Sequence, residues 1–214
     1  MVEAVRLRNH VRIINISSSE VYGSAKIVPM REDHPLNPRT PYAASKISAD
    51  AIFQSYAETF SLNIRTMRPF NMFGPRQNIR SYAGVIPIFV SKILKDEPLV
   101  IYGDGLQTRD FTFVKEATRA MVALADPRLD FTGVINIGTG VETNVLQIAE
   151  MVIRHMGVDG YPMSFVKKRV GDVDRHQADI SKLRSVGVEQ PAPIDQKQIG
   201  ETVEYYQELL SNKS

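Results

Sequence analysis

Three short runs rich in β-branched residues, "VRIINIS" (11–17), "NIRTMRPF" (63–70) and "GVINIG" (133–138), are separated by segments whose apolar residues recur at helical spacing. Runs of this kind read as strands covered on both faces. The segments between them read as helices: the last turns of one in "MVEAVRLRN", then Pro41–Phe60, Val85–Leu94, the second half of "DFTFVKEATRAMVALAD", "NVLQIAEMVIRHMG", and about 196–210. "PLVIYGDG" and the start of "DFTFVKEATRAMVALAD" read as further short strands, the latter leading into its helix. Alternation of this sort implies parallel strands joined by helical crossovers, an α/β architecture. Val21–Thr40 carries Gly23, Pro29, Pro35 and Pro38 and reads as a long surface loop, while Met67 and Met72 read as core.

Composition excludes several classes. A chain of 214 residues can bury a core as one large domain or two small ones. Its net charge of +2 gives no electrostatic footprint for nucleic acid. The longest apolar runs fall short of the roughly 18–20 residues that cross a bilayer, and the opening residues lack the apolar centre of a signal peptide. With no cysteine there is neither a disulfide framework nor a thiolate metal site, and His10, His34, His155 and His176 show no ligand spacing. A metal-free, cytoplasmic protein is the expectation.

"TPYAASKISAD" places Tyr42 four residues before Lys46 at the start of a predicted helix. A phenol ionises near about pH 10, and an ammonium one turn along the same face favours the phenolate. "SSSEVYG" places hydroxyls directly after a predicted strand, at the end where open α/β sheets build their sites. Either motif alone fits an ordinary solvated helix or a turn; the two in this order are more specific. A dinucleotide-binding sheet normally opens with a strand, a glycine-rich turn and a helix. No G-x-G-x-x-G or G-x-x-G-x-x-G occurs here, and "GTG" (138–140) and "GDG" (103–105) do not replace it.

Taken together, "SSSEVYG", "PYAASK", "RPFNMFGPRQ", "VIYGDGLQTRDFTFV" and "VINIGTG" resemble the extended short-chain dehydrogenase/reductase family, within it the NAD-dependent nucleotide-sugar epimerases and dehydratases. The resemblance implies part of a Rossmann-type doubly wound parallel sheet with a small α/β substrate-binding domain. On that basis residues 1–76 carry the cofactor-domain part with the Ser/Tyr/Lys site, and 77–214 mainly bind the nucleotide sugar, with about 111–140 returning to the sheet. The first βαβαβ half is the expected missing part. Catalytic roles carry over to Ser18, Tyr42 and Lys46, with Tyr42 exchanging a proton with a sugar hydroxyl. Ser17, Tyr42, Lys46 and Pro69 are implied NAD contacts. Ser19, Asn71, Arg109, Arg169 and Asp172, with Val85, Val100 and Tyr102 near the base, are implied contacts to the nucleotide sugar; bidentate guanidinium groups suit a diphosphate. No metal is implied.

Members of the group are expected to oxidise a sugar carbon with NAD and to differ in the fate of the resulting keto-sugar. Dehydratases of the dTDP-glucose type read Asp-Glu before "VYG", where this chain has Ser19-Glu20, and decarboxylases carry an arginine where His176 stands. A nucleotide-sugar 4-epimerase of the UDP-glucose/galactose type or its N-acetyl forms is therefore the first reading. Glu20, as a carboxylate able to act as base at C5, keeps 4,6-dehydration open, and UDP-glucuronate decarboxylation is a further alternative. A catalytically inactive remnant or nucleotide-sugar binding module is the reading from a different class. Expected partners are the nucleotide sugar, a second copy through the Pro41–Phe60 helix, and a chain supplying the missing half.

Overall fold

The computed structural model describes residues 2–8, 12–79, 84–168 and 173–211. In chain order come α1 (Val2–Arg6), β1 (Ile13–Ile16), a 3-10 turn over Ser19–Tyr22, α2 (Pro41–Phe60), β2 (Ile64–Pro69), β3 (Met72–Phe73) and α3 (Val85–Leu94). They are followed by β4 (Leu99–Tyr102), β5 (Thr108–Arg109), β6 (Thr112–Phe113), α4 (Val114–Ala125), β7 (Gly133–Ile137) and β8 (Thr143–Asn144). The last elements are α5 (Val145–Met156), β9 (Met163–Val166), α6 (Ser181–Ser185) and α7 (Gln196–Ser211).

The three β-branched runs form one parallel sheet in the order β1-β2-β7. Its register pairs Ile16 with Met67 and Pro69 with Ile137, so the carboxyl ends of all three strands lie together. β2 is buried along its whole length because it is the central strand with α2 on one face and α4 on the other. Met67, Ile135, Ile137, Ala117, Ala120, Leu124 and Leu183 form the core on the α4 side. A second core joins α3, α5 and α7 around β4, with Phe89, Ile101, Ile148, Val152, Ile199, Val203 and Tyr206 at its centre. α5 starts from a capping box between Asn144 and Gln147 and stops at left-handed Gly157, which places its apolar face in this core.

Arg65 sits within β2, fully buried, and its guanidinium is spent on backbone carbonyls. Nε donates to Phe131 O at 2.7 Å and Nη1 to Asp126 O at 3.0 Å, and further bonds reach Leu124 O and Leu129 O. Two of these carbonyls belong to the end of α4, where helices leave acceptors unpaired and favour a cation. A lysine there keeps the charge but not the planar fork. Arg65→Lys is expected to destabilise by about 2 kcal/mol, a fall in Tm of about 4–8 °C by thermal melting.

Asp110 follows β5 and is the other buried anchor. Its carboxylate accepts from Thr139 N (2.9 Å), Thr139 Oγ1 (2.7 Å), Gly140 N (2.9 Å) and Ala178 N (3.2 Å). Burial pushes this carboxyl upward, and the bonds from Thr139, Gly140 and Ala178 oppose that. Gly138 must lack a side chain, since a Cβ would lie 2.6 Å from Ala178 Cβ and 2.8 Å from Asp110 Oδ2.

Two expectations are corrected. Val21–Thr40 is not simply a surface loop: Val21, Tyr22, Met30 and His34 are buried, and Met30 forms a β-bridge with Ala178. Long-range pairing, to which the local proline and glycine content is blind, draws the segment in. Met72 is not core; it is 37 % exposed on β3, where the two-residue strand turns its side chain outward at the rim of a cavity.

Candidate active site

α2 begins where Thr40 accepts the Ala43 N–H at 3.1 Å and Pro41 occupies the first turn. This places Tyr42, 47 % exposed, and Lys46 on successive turns above the carboxyl end of β1. Lys46 Nζ donates to Ile16 O at 2.8 Å and lies 5.8 Å from the centre of the Tyr42 ring. Ser18 accepts the Glu20 N–H at 3.2 Å and so caps the 3-10 turn; a hydroxyl used as acceptor still has a proton to donate. Glu20 stands half-buried in that turn, and Ser19 beside it is buried. Pro69 closes β2 opposite Ile137.

Ser17 faces the protein interior, its Oγ donating to Asp50 Oδ2 at 2.8 Å. Asp50 stands one further turn beyond Lys46, and it also accepts from Asn15 Nδ2 (2.8 Å) and Arg68 Nε (3.1 Å). Arg68 Nη1 reaches Tyr22 OH at 3.1 Å, and Tyr22 OH donates to Asn136 Oδ1 at 2.7 Å. A buried polar chain thus links α2, β1, β2, β7 and the "VYG" turn.

Asn71, Val85, Val100, Tyr102 and Arg109 line a single cavity of about 500 Å³ between α3, β4 and β5. Gln77, Lys92 and Gln107 add polar groups there; Gln77 and Gln107 fall within "RPFNMFGPRQ" and "VIYGDGLQTRDFTFV", where the sequence reading gives them no role. Tyr206 OH on α7 donates to Gln77 O at 2.7 Å and fixes that wall. Arg109 is half-buried and donates through Nη1 to Thr108 O at 2.8 Å. Arg169 and Asp172 lie outside the described residues. A larger cavity of about 650 Å³, lined by Ile64, Gly133 and Glu58, opens at the amino ends of β2 and β7 and contains none of the predicted residues.

His176 connects the two groups. Asn71 Nδ2 contacts its Nδ1 at 3.2 Å, its ring lies 4.9 Å from that of Phe70, and it bonds the Ser19 backbone. Burial first, then the Arg109 charge, lowers its pKa from the ordinary 6.5 to about 4, so the ring is neutral and Nδ1 accepts from Asn71. Between about pH 6.5 and pH 4 the unfolded imidazole takes up a proton that the native one refuses, so stability falls as pH falls through that window and levels off below it. The expected loss is about 3 kcal/mol, and His176→Gln should flatten this part of the Tm–pH profile.

Among the described residues no cluster of His, Cys, Asp or Glu could hold a metal ion, and no helix is long and apolar enough to cross a membrane. Residues 1–209 match the family described as GDP-mannose 4,6 dehydratase. The chain belongs to that family. As a member, it falls with the short-chain dehydrogenase/reductase-type NAD-dependent epimerases and dehydratases, and its Rossmann-type α/β fold agrees with theirs. This family member is 33 % identical over 207 residues to a UDP-glucose 4-epimerase of Mycolicibacterium smegmatis, covering 96 % of this chain and 66 % of that protein. Among solved structures it resembles the UDP-N-acetylglucosamine 4-epimerase of Methanobrevibacter ruminantium M1 in complex with UDP-N-acetylmuramic acid, with TM-score 0.89, 36 % identity, and coverage of 97 % and 66 % of the two chains. It also resembles a dTDP-glucose 4,6-dehydratase of Bacillus anthracis in complex with NAD, with TM-score 0.86, 29 % identity, and coverage of 97 % and 65 %. The chain thus spans just under two thirds of the length of these relatives.

Proposed function

We propose that the intact protein is an NAD-dependent nucleotide-sugar 4-epimerase. The observation carrying this reading is the continuity of the site: Ser18, Tyr42 and Lys46 lie at the carboxyl end of the sheet, and His176 and Asn71 lead from there into the cavity walled by Arg109 and Tyr102. A half-exposed phenol beside an ammonium fits the nicotinamide riboside end of NAD, which Tyr42, Lys46 and Pro69 would hold. NAD supplies a reversible hydride acceptor. Tyr42 takes the proton from the sugar hydroxyl during oxidation and returns it during reduction, Lys46 stands beside its ring, and Ser18 bonds the same sugar oxygen. Arg109 and Asn71 bind the diphosphate, the Arg109 guanidinium in bidentate fashion, and Val85, Val100 and Tyr102 border the base. Arg169 and Asp172 complete this set as clamps on the diphosphate and ribose.

Epimerisation is favoured over elimination of the dTDP-glucose type because Ser19 stands where the acid of those dehydratases would, and over decarboxylation because His176 stands where a decarboxylase arginine would; Ser-Glu before "VYG" is shared with GDP-mannose dehydratases. Glu20, in the turn capped by Ser18, supports 4,6-dehydration as the second reading. A homodimer through α2 is supported by the exposure of Ala44, Ser48, Ala51 and Ile52 along its outer face.

The test is incubation of the intact protein with NAD and UDP-glucose or UDP-N-acetylglucosamine, with products followed by NMR. The expected result is interconversion of the C4 epimers without net NADH. A 4-keto-6-deoxy sugar would establish the dehydratase instead, and absence of either product would remove the catalytic reading.

A further inference from the structure

We infer that Asp50, held by Arg68, is the positioning residue that fixes the strand end bearing Ser18 against the helix bearing Tyr42 and Lys46. Tyr42, Lys46 and Asp50 are spaced four residues apart, so they rise along one face of α2. Between them, Lys46 and Asp50 capture three successive residues at the end of β1. Asn15 Nδ2 donates to Asp50 Oδ1 (2.8 Å), Ile16 O accepts from Lys46 (2.8 Å), and Ser17 Oγ donates to Asp50 Oδ2 (2.8 Å). Ser18 is the next residue.

Apart from Ile47, which packs against the cluster of Val21, Tyr22 and Phe70, few apolar side chains hold this part of the helix. Ala43 and Asp50 are its fully buried residues, so apolar packing from α2 onto β1 is thin at the end that carries the chemistry. Arg68 neutralises the carboxylate where both side chains are almost wholly buried, and its other arm is fixed by Tyr22 OH and Glu32 O. A carboxylate held by three donors is a directional clamp, and a displacement of about 1 Å at a reacting group costs on the order of 10²-fold in rate. Asp50 does not reach substrate or cofactor; it acts through Ser17, and so through the backbone of Ser18.

The catalytic consequence rests on the epimerase reading, so the test has an arm independent of turnover. In Asp50→Asn, amide hydrogen exchange at Ser17–Ser19 is expected to accelerate at least about tenfold, with α5 and α7 unchanged; wild-type exchange there would overturn the proposal. In the same variant kcat is expected to fall about 10²-fold at unchanged KM. The double variant Asp50→Leu/Arg68→Met removes the ion pair as a unit, which returns Tm toward wild type. Its kcat is expected to stay low; recovery of kcat together with Tm would overturn positioning in favour of a merely structural role. Should the double variant not fold, the exchange of Asp50→Asn decides alone. A wild-type protein without turnover counts against the epimerase reading, and the exchange arm still decides the clamp.

Discussion

Tyr42→Phe is expected to lower kcat of the intact protein by about 10²–10⁴-fold, the usual contribution of a positioned acid/base group. The side chain is 47 % exposed at the amino end of α2, so loss of the hydroxyl opens no core cavity. Stability should stay within about 0.5 kcal/mol of wild type. The ring remains beside the Lys46 ammonium, and the Lys46 bond to Ile16 O does not involve the phenol oxygen. KM should therefore be little changed, which separates lost proton transfer from lost binding. Steady-state kinetics with a thermal melt of the same sample make the measurement. Wild-type kcat in the phenylalanine variant would remove Tyr42 from the mechanism, whichever reaction the protein performs.

Asp110→Ala is expected to be the most destabilising single change, at about 3–5 kcal/mol, because it leaves the Thr139, Gly140 and Ala178 donors buried without their acceptor. For a chain of this size that corresponds to a fall in Tm of about 6–20 °C. Asparagine fares little better, since its amide group would point N–H toward N–H in a site built from donors. The change also reaches the substrate side: Asp110 Oδ2 accepts from Ala178 N at 3.2 Å, two residues beyond His176, and His176 holds Asn71 at the cavity. Any residual folded Asp110→Ala should therefore show a raised KM in addition to the lower Tm. A melt and urea titration superimposable on wild type would refute this account of Asp110.

The parallel sheet is legible in the sequence because each of its three strands is a β-branched run, although covering on both faces holds for the central β2 and not for β1, which leaves Ile14 and Ile16 exposed. The two-residue strands β3, β5 and β8 carry no such signal and exist through distant pairings, such as Met72 with Thr112, whereas β6 is the short strand readable at the start of "DFTFVKEATRAMVALAD". Burial of Met30 and His34 is hidden for the same reason. At the site, Tyr42, Lys46 and Arg109 are readable from local motifs. His176 is not, since an isolated histidine has no periodicity to betray a neutral, buried ring. Asp50 does carry a signal: an acidic residue eight positions after Tyr42, on the helix face that turns toward the sheet.

The bond from Tyr206 to Gln77 joins positions 129 apart in the chain, and Ile199, Val203 and Tyr206 belong to the same core as Phe89 and Ile101. During vectorial synthesis at the ribosome, β1, α2 and β2 emerge with their polar clamp able to close, while the cavity proposed for the nucleotide sugar still lacks the helix that anchors its Gln77 wall. Ligand binding at the cavity should therefore be among the last properties a nascent chain acquires, with the residues proposed for proton transfer assembled before the pocket proposed to hold the substrate.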